Sequence, residues 1–293
     1  MIDLLTAQHS TPPQVLPIDI TGQRCLGIML SGQSHIGVLM VSGGAQTRAG
    51  SHRLQQQLAQ RLQQHDISSL RFDFPGYGDA EGEPQDFIQH ARCLPEVLSI
   101  AQQKMPQIRD WVLFGLCDGA SAILLNQHLL QQTSGVILLN PWCRAAQNHA
   151  QTMVRFYYWQ RLRSKEFWQK LLTGKGHPLQ SLTQFVRFWR RANEAKQACE
   201  TTPAISTDNF LPQMVLNWST CTKPVLLVLS EQDLTAQECS SLLATLPEEQ
   251  RQSIMAQSTI LSLSGANHTC SEAEHLQQLQ QSIINWLHLR FQQ

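Results

Sequence analysis

A cysteine with a glycine two residues away on each side, Gly115-Leu116-Cys117-Asp118-Gly119, separates the apolar run 111–114 from a helix-forming stretch that begins at Ala120. A strand that turns this sharply into a helix strains the residue at the turn, and neighbours two positions away must be glycine-sized to avoid collision. The pattern is a nucleophile elbow with sulfur in place of the usual serine oxygen. A helix starting just after Cys117 points its positive end at the thiol and favours the reactive thiolate. The motif alone leaves a second reading open, because most buried cysteines are inert. Ser121, one helical turn further on, is the fallback nucleophile.

A thiol nucleophile needs a base to take its proton and a carboxylate to hold that base. Two later apolar runs end in loops that carry such groups: 226–230 leads into Glu231-Gln232-Asp233, and 260–263 leads into Ser264-Gly265-Ala266-Asn267-His268. Asp233 is the candidate orienting acid and His268 the candidate base, in the chain order nucleophile, acid, base. Each has a plainer reading, since Asp233 could cap the helix that follows it and His268 alone could be any loop histidine. Glu231 is the fallback acid.

Cleavage of an acyl group also needs donors for the oxyanion. One is expected from the backbone N–H of Asp118. The other is expected from the loop Ser42-Gly43-Gly44-Ala45-Gln46, with Gly44 or Ala45 as the donor. The glycine-rich stretch 73–82 lacks G-x-G-x-x-G and Walker spacing and reads as a structural loop. The eleven histidines are scattered without H-E-x-x-H or its equivalents, so no metal and no cofactor is expected.

Positioning these groups calls for an alternating α/β framework. Buried strands are expected at 36–41, 69–74, 111–115, 135–140, 224–230 and 259–264, and helices at 51–64, 120–132, 236–246 and 273–289. This alternation predicts a doubly wound, mostly parallel sheet. Ahead of it, 15–21 and 24–30 flank Gly22-Gln23 as an antiparallel hairpin at the sheet edge. The interval 143–222 is too long for a crossover and too aromatic for a linker, and is expected to be a helical cap inserted between core segments 1–142 and 223–293. It holds eleven Lys or Arg against four acids, although the whole chain balances 22 of each. That excess suits an anionic substrate or an acidic partner; an ordinary solvated helical face is the plain alternative.

The chain is 42% hydrophobic without any run of eighteen apolar residues, and residues 1–17 lack the basic start and apolar stretch of a secretory signal. Its eight cysteines form no C-x-x-C pair or zinc spacing and read as reduced thiols. A cytoplasmic protein is expected, whose partner is a small acylated or anionic molecule and not a nucleic acid.

The D-x-x-G-x-G loop at Asp73, the elbow at Cys117 and the loops of Asp233 and His268 resemble the α/β-hydrolase superfamily across nearly the whole chain, and the cysteine is similar to the nucleophile of dienelactone hydrolases. More narrowly, the strings from Gly43 to Arg53, from Gly115 to Ala122, and Asn140-Pro141-Trp142 look like hydrolases associated with bacterial exosortase A systems. Ala45 stands where that family is expected to have proline, and Gly119 where it is expected to have alanine. The resemblance implies the α/β-hydrolase fold and a cytosolic hydrolase linked to exopolysaccharide production. The leading function is cleavage of an ester or thioester through Cys117, His268 and Asp233. Acyl transfer to a non-water acceptor, a non-catalytic binding or assembly module, and redox sensing through Cys117 are the rivals. For redox sensing, a resolving cysteine would have to arrive through the fold, since none is near in sequence.

Overall fold

The computed structural model describes residues 11–144, 205–207 and 209–292. The apolar runs form a single eight-stranded sheet: β1 (Gln14–Ile20), β2 (Gln23–Leu30), β3 (Ile36–Val41), β4 (Ser68–Phe72), β5 (Asp110–Leu116), β6 (Gly135–Leu139), β7 (Val225–Ser230) and β8 (Ser258–Leu263). Their spatial order is β1-β2-β4-β3-β5-β6-β7-β8. β1 and β2 pair antiparallel, β2 runs antiparallel to β4, and the remaining pairs are parallel. The hairpin turns on Thr21 (φ 51°) and Gly22 (φ 80°), the two left-handed residues that a type I′ turn requires.

Successive residues of the central strands enter opposite cores. Leu39, Val41, Leu113, Val136, Leu138 and Leu227 face one side, with α2 (Phe87–Lys104), α3 (Asp118–Leu125), α5 (Leu211–Ser219) and α6 (Leu234–Thr245). Val38, Met40, Phe114, Ile137, Leu139 and Val228 face the other, with α1 (Leu54–Gln63) and α8 (Ala273–Phe291). Both faces are covered, so these strands are continuous apolar runs and not alternating ones. α4 (Gln127–Gln132) and α7 (Glu248–Gln257) complete the α-helices of the described residues, and a 3₁₀ turn, Ser51–Arg53, leads into α1.

Two helical expectations change. The helix expected at 120–132 is two helices, because Asn126 caps α4 by accepting from Leu129 N–H at 2.9 Å while its own amide donates to Ala91 O at 2.8 Å. α2 is not among the helices expected from periodicity; Pro95 interrupts its pattern, and Asp86 starts it by accepting from Gln89 N–H. Of the expected cap, residues 145–204 and 208 lie outside the described residues. Its last part, α5, packs on α3, burying Met214 and Trp218, and Asn217 donates to the carbonyls of Leu124 and Leu125 at 3.0 and 2.9 Å.

The glycine-rich stretch after β4 is built around one buried carboxylate. Asp73 is fully buried and accepts from the Arg48 backbone N–H at 2.6 Å and from its guanidinium, while the same guanidinium reaches Asp79 at 2.6 Å. Gly78 (φ 57°) passes so close that a Cβ would lie 2.4 Å from Asp73 Oδ2. Arg48 belongs to the loop after β3, so the Asp73 pair fastens that loop, with Gly44 and Ala45 on it, to the neighbouring strand.

Asp73→Ala removes the fully buried carboxylate and leaves the Arg48 backbone N–H without its acceptor, and is expected to cost about 3 kcal/mol in urea denaturation. Asp79→Ala removes the more exposed partner of the same arginine and is expected to cost less than about 1 kcal/mol. Equal losses would show that the buried pair does not organise the loop.

Candidate active site

The order β4-β3-β5 means that the chain leaves β3 in one direction and β5 in the other, which opens a crevice at their carboxyl ends where open α/β sheets bind ligands. Cys117 stands there, between β5 and α3. Its backbone has φ 59° and ψ −125°, a strained conformation for a non-glycine residue. Four backbone hydrogen bonds pin it: Cys117 N–H donates to Leu139 O at 3.0 Å, and Cys117 O accepts from the N–H groups of Ala120, Ser121 and Trp142 at 3.1, 3.2 and 3.1 Å. Neither flanking glycine has room for a side chain. A Cβ on Gly115 would lie 2.7 Å from Ala120 N and Cα, and one on Gly119 would lie 2.9 Å from the carbonyl oxygens of Val41 and Ser42.

Asp233 makes the contacts of both readings that its sequence position left open. Its carboxylate caps α6, accepting from Thr235 N–H at 3.2 Å and Ala236 N–H at 3.1 Å, and it also meets His268 Nδ1 at 2.8 Å. The cap holds the carboxylate in place for the imidazole. His268 hydrogen-bonds in turn with Cys117, and the Asp233 contact followed by the Cys117 contact pushes its pKa up to about 10. The imidazole is therefore protonated at neutral pH, beside the sulfur.

The fallback residues are engaged elsewhere. Ser121 is fully buried and donates to Trp142 O at 2.7 Å. Glu231 Oε2 accepts from Ser264 Oγ and Gly265 N–H, both at 2.9 Å, bracing the His268 loop from outside. Asn140, quoted in sequence only as part of a resemblance, holds the base and acid strands together. Fully buried with φ 47°, it donates to Ser230 Oγ and His268 O, each at 2.9 Å, and accepts from Ser230 N–H at 2.8 Å. No sequence pattern announces this bridge of 90 residues to Ser230 and 128 to His268.

The expected oxyanion donors meet a resident carboxylate. Backbone N–H groups of Gly44, Asp118 and Gly119 face the Asp118 side chain, whose pKa burial raises and those N–H groups lower. Its Oδ1 is buried without a hydrogen-bond partner, and a Cβ on Gly43 would lie 2.3 Å from it. Ala45 makes no described hydrogen bond to this group. Trp142, Phe87 and Phe210 form an aromatic cluster beside the elbow, with ring centroids 5.0 to 5.6 Å apart. A surface depression of about 410 Å³, lined by His35, Arg109, Asp110, Arg290 and Phe291, lies at the opposite ends of β3 and β5 and plays no part here. Among the described residues, no group of three His, Cys, Asp or Glu side chains could hold a metal ion, and no helix is long and apolar enough to cross a membrane.

Residues 38–279 match the family model described as the alpha/beta hydrolase family. An esterase of Pyrococcus furiosus superposes with a TM-score of 0.64 at 13% identity, covering 95% of this chain and 91% of the other. Est1E of Butyrivibrio proteoclasticus, solved with ferulic acid, gives 0.58 at 15% identity over 95% and 100% of the two chains. Proline iminopeptidase of Mycobacterium smegmatis gives 0.58 at 11% identity over 94% and 98%. No protein of curated function matches the sequence.

Asp233→Asn keeps a capping side chain but removes the charge. By NMR titration, the His268 imidazole is expected to titrate near 10 in the parent and to fall toward the ordinary value of about 6.5 in the variant. Because folding raises this pKa, the stability contributed by protonated His268 is complete below about pH 6.5 and is lost as pH rises toward the folded value. Urea midpoints should therefore decline more steeply over that interval in the parent than in Asp233→Asn; parallel declines would mean that the pair does not set the imidazole's charge.

Proposed function

Given that the chain belongs to the alpha/beta hydrolase family, we propose that it cleaves a carboxylic ester or thioester with Cys117 as nucleophile, His268 as proton carrier and Asp233 as the carboxylate that orients it. The observation that carries this reading is the contiguous chain of contacts from Asp233 Oδ2 through His268 Nδ1, at 2.8 Å, to the strained Cys117 at the start of α3.

His268 is cationic beside the sulfur, and attack proceeds from the thiolate form of Cys117. The thiolate attacks the acyl carbon, the oxyanion develops toward the N–H groups of Asp118 and Gly44, and His268 returns its proton to the leaving oxygen or sulfur. Neutral His268 then takes a proton from water, which cleaves the thioester acyl-enzyme. A non-water acceptor at this step would make the same machinery an acyltransferase. The aromatic cluster of Phe87, Trp142 and Phe210 supports an apolar acyl group. The expected basic cap, 143–222, supports an anionic substrate. The strings resembling exosortase-associated hydrolases support a place beside exopolysaccharide production in the cytoplasm.

One observation favours the rival, a non-catalytic binding or assembly module: the Asp118 carboxylate already faces the donors that an oxyanion needs. In a working enzyme the substrate carbonyl must displace that carboxylate.

Two measurements separate these readings. Intact-protein mass after incubation with short and long acyl esters and thioesters is expected to show an adduct that Cys117→Ala abolishes and that forms about 10²- to 10⁴-fold more slowly in His268→Ala; identical spectra for the parent and Cys117→Ala would end the hydrolase reading. Asp118→Ala keeps the backbone donor and removes the carboxylate, and is expected to acylate faster than the parent, by about tenfold for one displaced contact. No adduct in either the parent or Asp118→Ala would favour the module.

A further inference from the structure

The sheet ends in two edge strands, and they are built differently. At the β1 edge, Pro17 interrupts the row of backbone donors and Asp19 adds an exposed charge. These are the devices that keep an edge strand from pairing with another chain. β8, at the other edge, has neither. Its residues Ser258-Thr259-Ile260-Leu261-Ser262-Leu263 include no proline and no charge, and no Asp, Glu, Lys or Arg stands anywhere from 252 to 271. On α8, which packs beside β8, none stands from 275 to 289. Three of the six large apolar side chains that the described residues expose belong to β8 and its two flanking helices: Ile260, Met255 on α7 and Leu289 on α8.

The free edge of β8 is complementary to itself. Leu263 O accepts from Glu231 N–H at 3.0 Å, on the β7 side. Alternation along a strand then turns the backbone groups of Leu263, Leu261 and Thr259 toward β7 and those of Ser258, Ile260 and Ser262 outward. Ser258 N–H is held by Met255 O at the end of α7, which leaves Ser258 O and both backbone groups of Ile260 and Ser262 for an incoming strand. Side chains alternate as well: Leu261 and Leu263 pack into the core under α8, so Ile260, 42% exposed, stands on the α7 face.

We propose that two copies of this chain associate through β8, pairing antiparallel about a two-fold axis at Ile260 and continuing the sheet from one copy into the other. In that register Ile260 exchanges N–H···O=C bonds with its own counterpart, and Ser262 N–H donates to the second copy's Ser258 O. The two Ile260 side chains meet on the axis and cover each other, and Leu261 meets the second copy's Thr259 on the opposite face. Arg290, which reaches Thr259 Oγ1 at 3.4 Å, lies to one side of the axis, with its counterpart on the other.

The occupant is a second copy because a two-fold contact sets each surface against itself, where any charge would meet its like. The charge-free strand and helix remove that obstacle, and they offer nothing to a partner recognised by charge. Pairing of β8 with the β1 edge of another copy would run head to tail without closing, and Pro17 and Asp19 oppose it. The contact is independent of the chemistry at Cys117.

Sedimentation equilibrium of the full chain is expected to give twice the monomer mass of 33.1 kDa. Ile260→Lys sets two like charges on the axis and should lower the association constant at least about tenfold. Ser262→Pro removes an outward N–H while leaving the ladder to β7 intact, and should have the same effect. Val15→Lys, at the guarded edge, should leave the mass unchanged. Cooperative thermal unfolding of both β8 variants will show that they remain folded, since each substituted side chain is exposed in the single chain. A parent that stays at 33.1 kDa across the concentration range overturns the proposal, as does a dimer that persists undiminished in either β8 variant or one that Val15→Lys dissociates.

Discussion

The backbone of Cys117 is the constraint on which the site depends. A non-glycine residue at φ 59° and ψ −125° costs on the order of 1–3 kcal/mol and persists only where its surroundings leave no alternative. Those surroundings are specific: β6 accepts its N–H, α3 and the Trp142 loop donate to its carbonyl, and Gly115 and Gly119 leave no side chain between β5, α3 and the end of β3. The strain places Cys117 at the N-cap of α3, where the first helical N–H groups lack intrahelical partners.

Asp233 and His268 reach this point through polar contacts that are themselves structural. Asp233 is fixed by the amides of α6 before it meets His268, so one carboxylate starts a helix and sets the charge of an imidazole. Asn140 ties β6 to Ser230 and to the carbonyl of His268, and backbone bonds from Glu231 to Leu263 and from Gln232 to Ala266 join the two loops directly. Each buried polar group here is satisfied by a loop from another strand, so the site cannot loosen at one residue without freeing others. Asp118 Oδ1 is the exception.

The chain has no net charge, yet its buried acids gather at one end of the sheet. Asp73, Asp233 and Glu238 are all nearly inaccessible, and each is met by a cation: Arg48, the His268 imidazolium and Arg144. Such pairs are poor contributors to stability compared with apolar packing of the same volume. Here they fix the loops that follow β3, β4, β6, β7 and β8, which apolar side chains could not orient in one register.

Local signals in the sequence were enough for the framework. Continuous apolar runs between turn residues marked strands that lie within about two residues of those observed, because a strand covered on both faces has no polar side to show. β8, expected to be buried, is instead the edge strand and is largely exposed, with Ile260 42% exposed, because no further strand of the chain pairs with it. Gly115 and Gly119 marked the elbow, because only glycine fits there. Asp233 and His268 were legible as a pair from their places at the ends of two such runs. Strand order, the break at Asn126 and the position of α2 were not legible, since each depends on which surfaces the helices meet. Nor could the bridge made by Asn140 or the Asp118 carboxylate over the expected oxyanion donors be read from spacing. Periodicity and steric size act over a few residues and are written in the chain; contacts between residues about a hundred positions apart exist only after the sheet has brought its loops to one end, and the tertiary structure alone decides them.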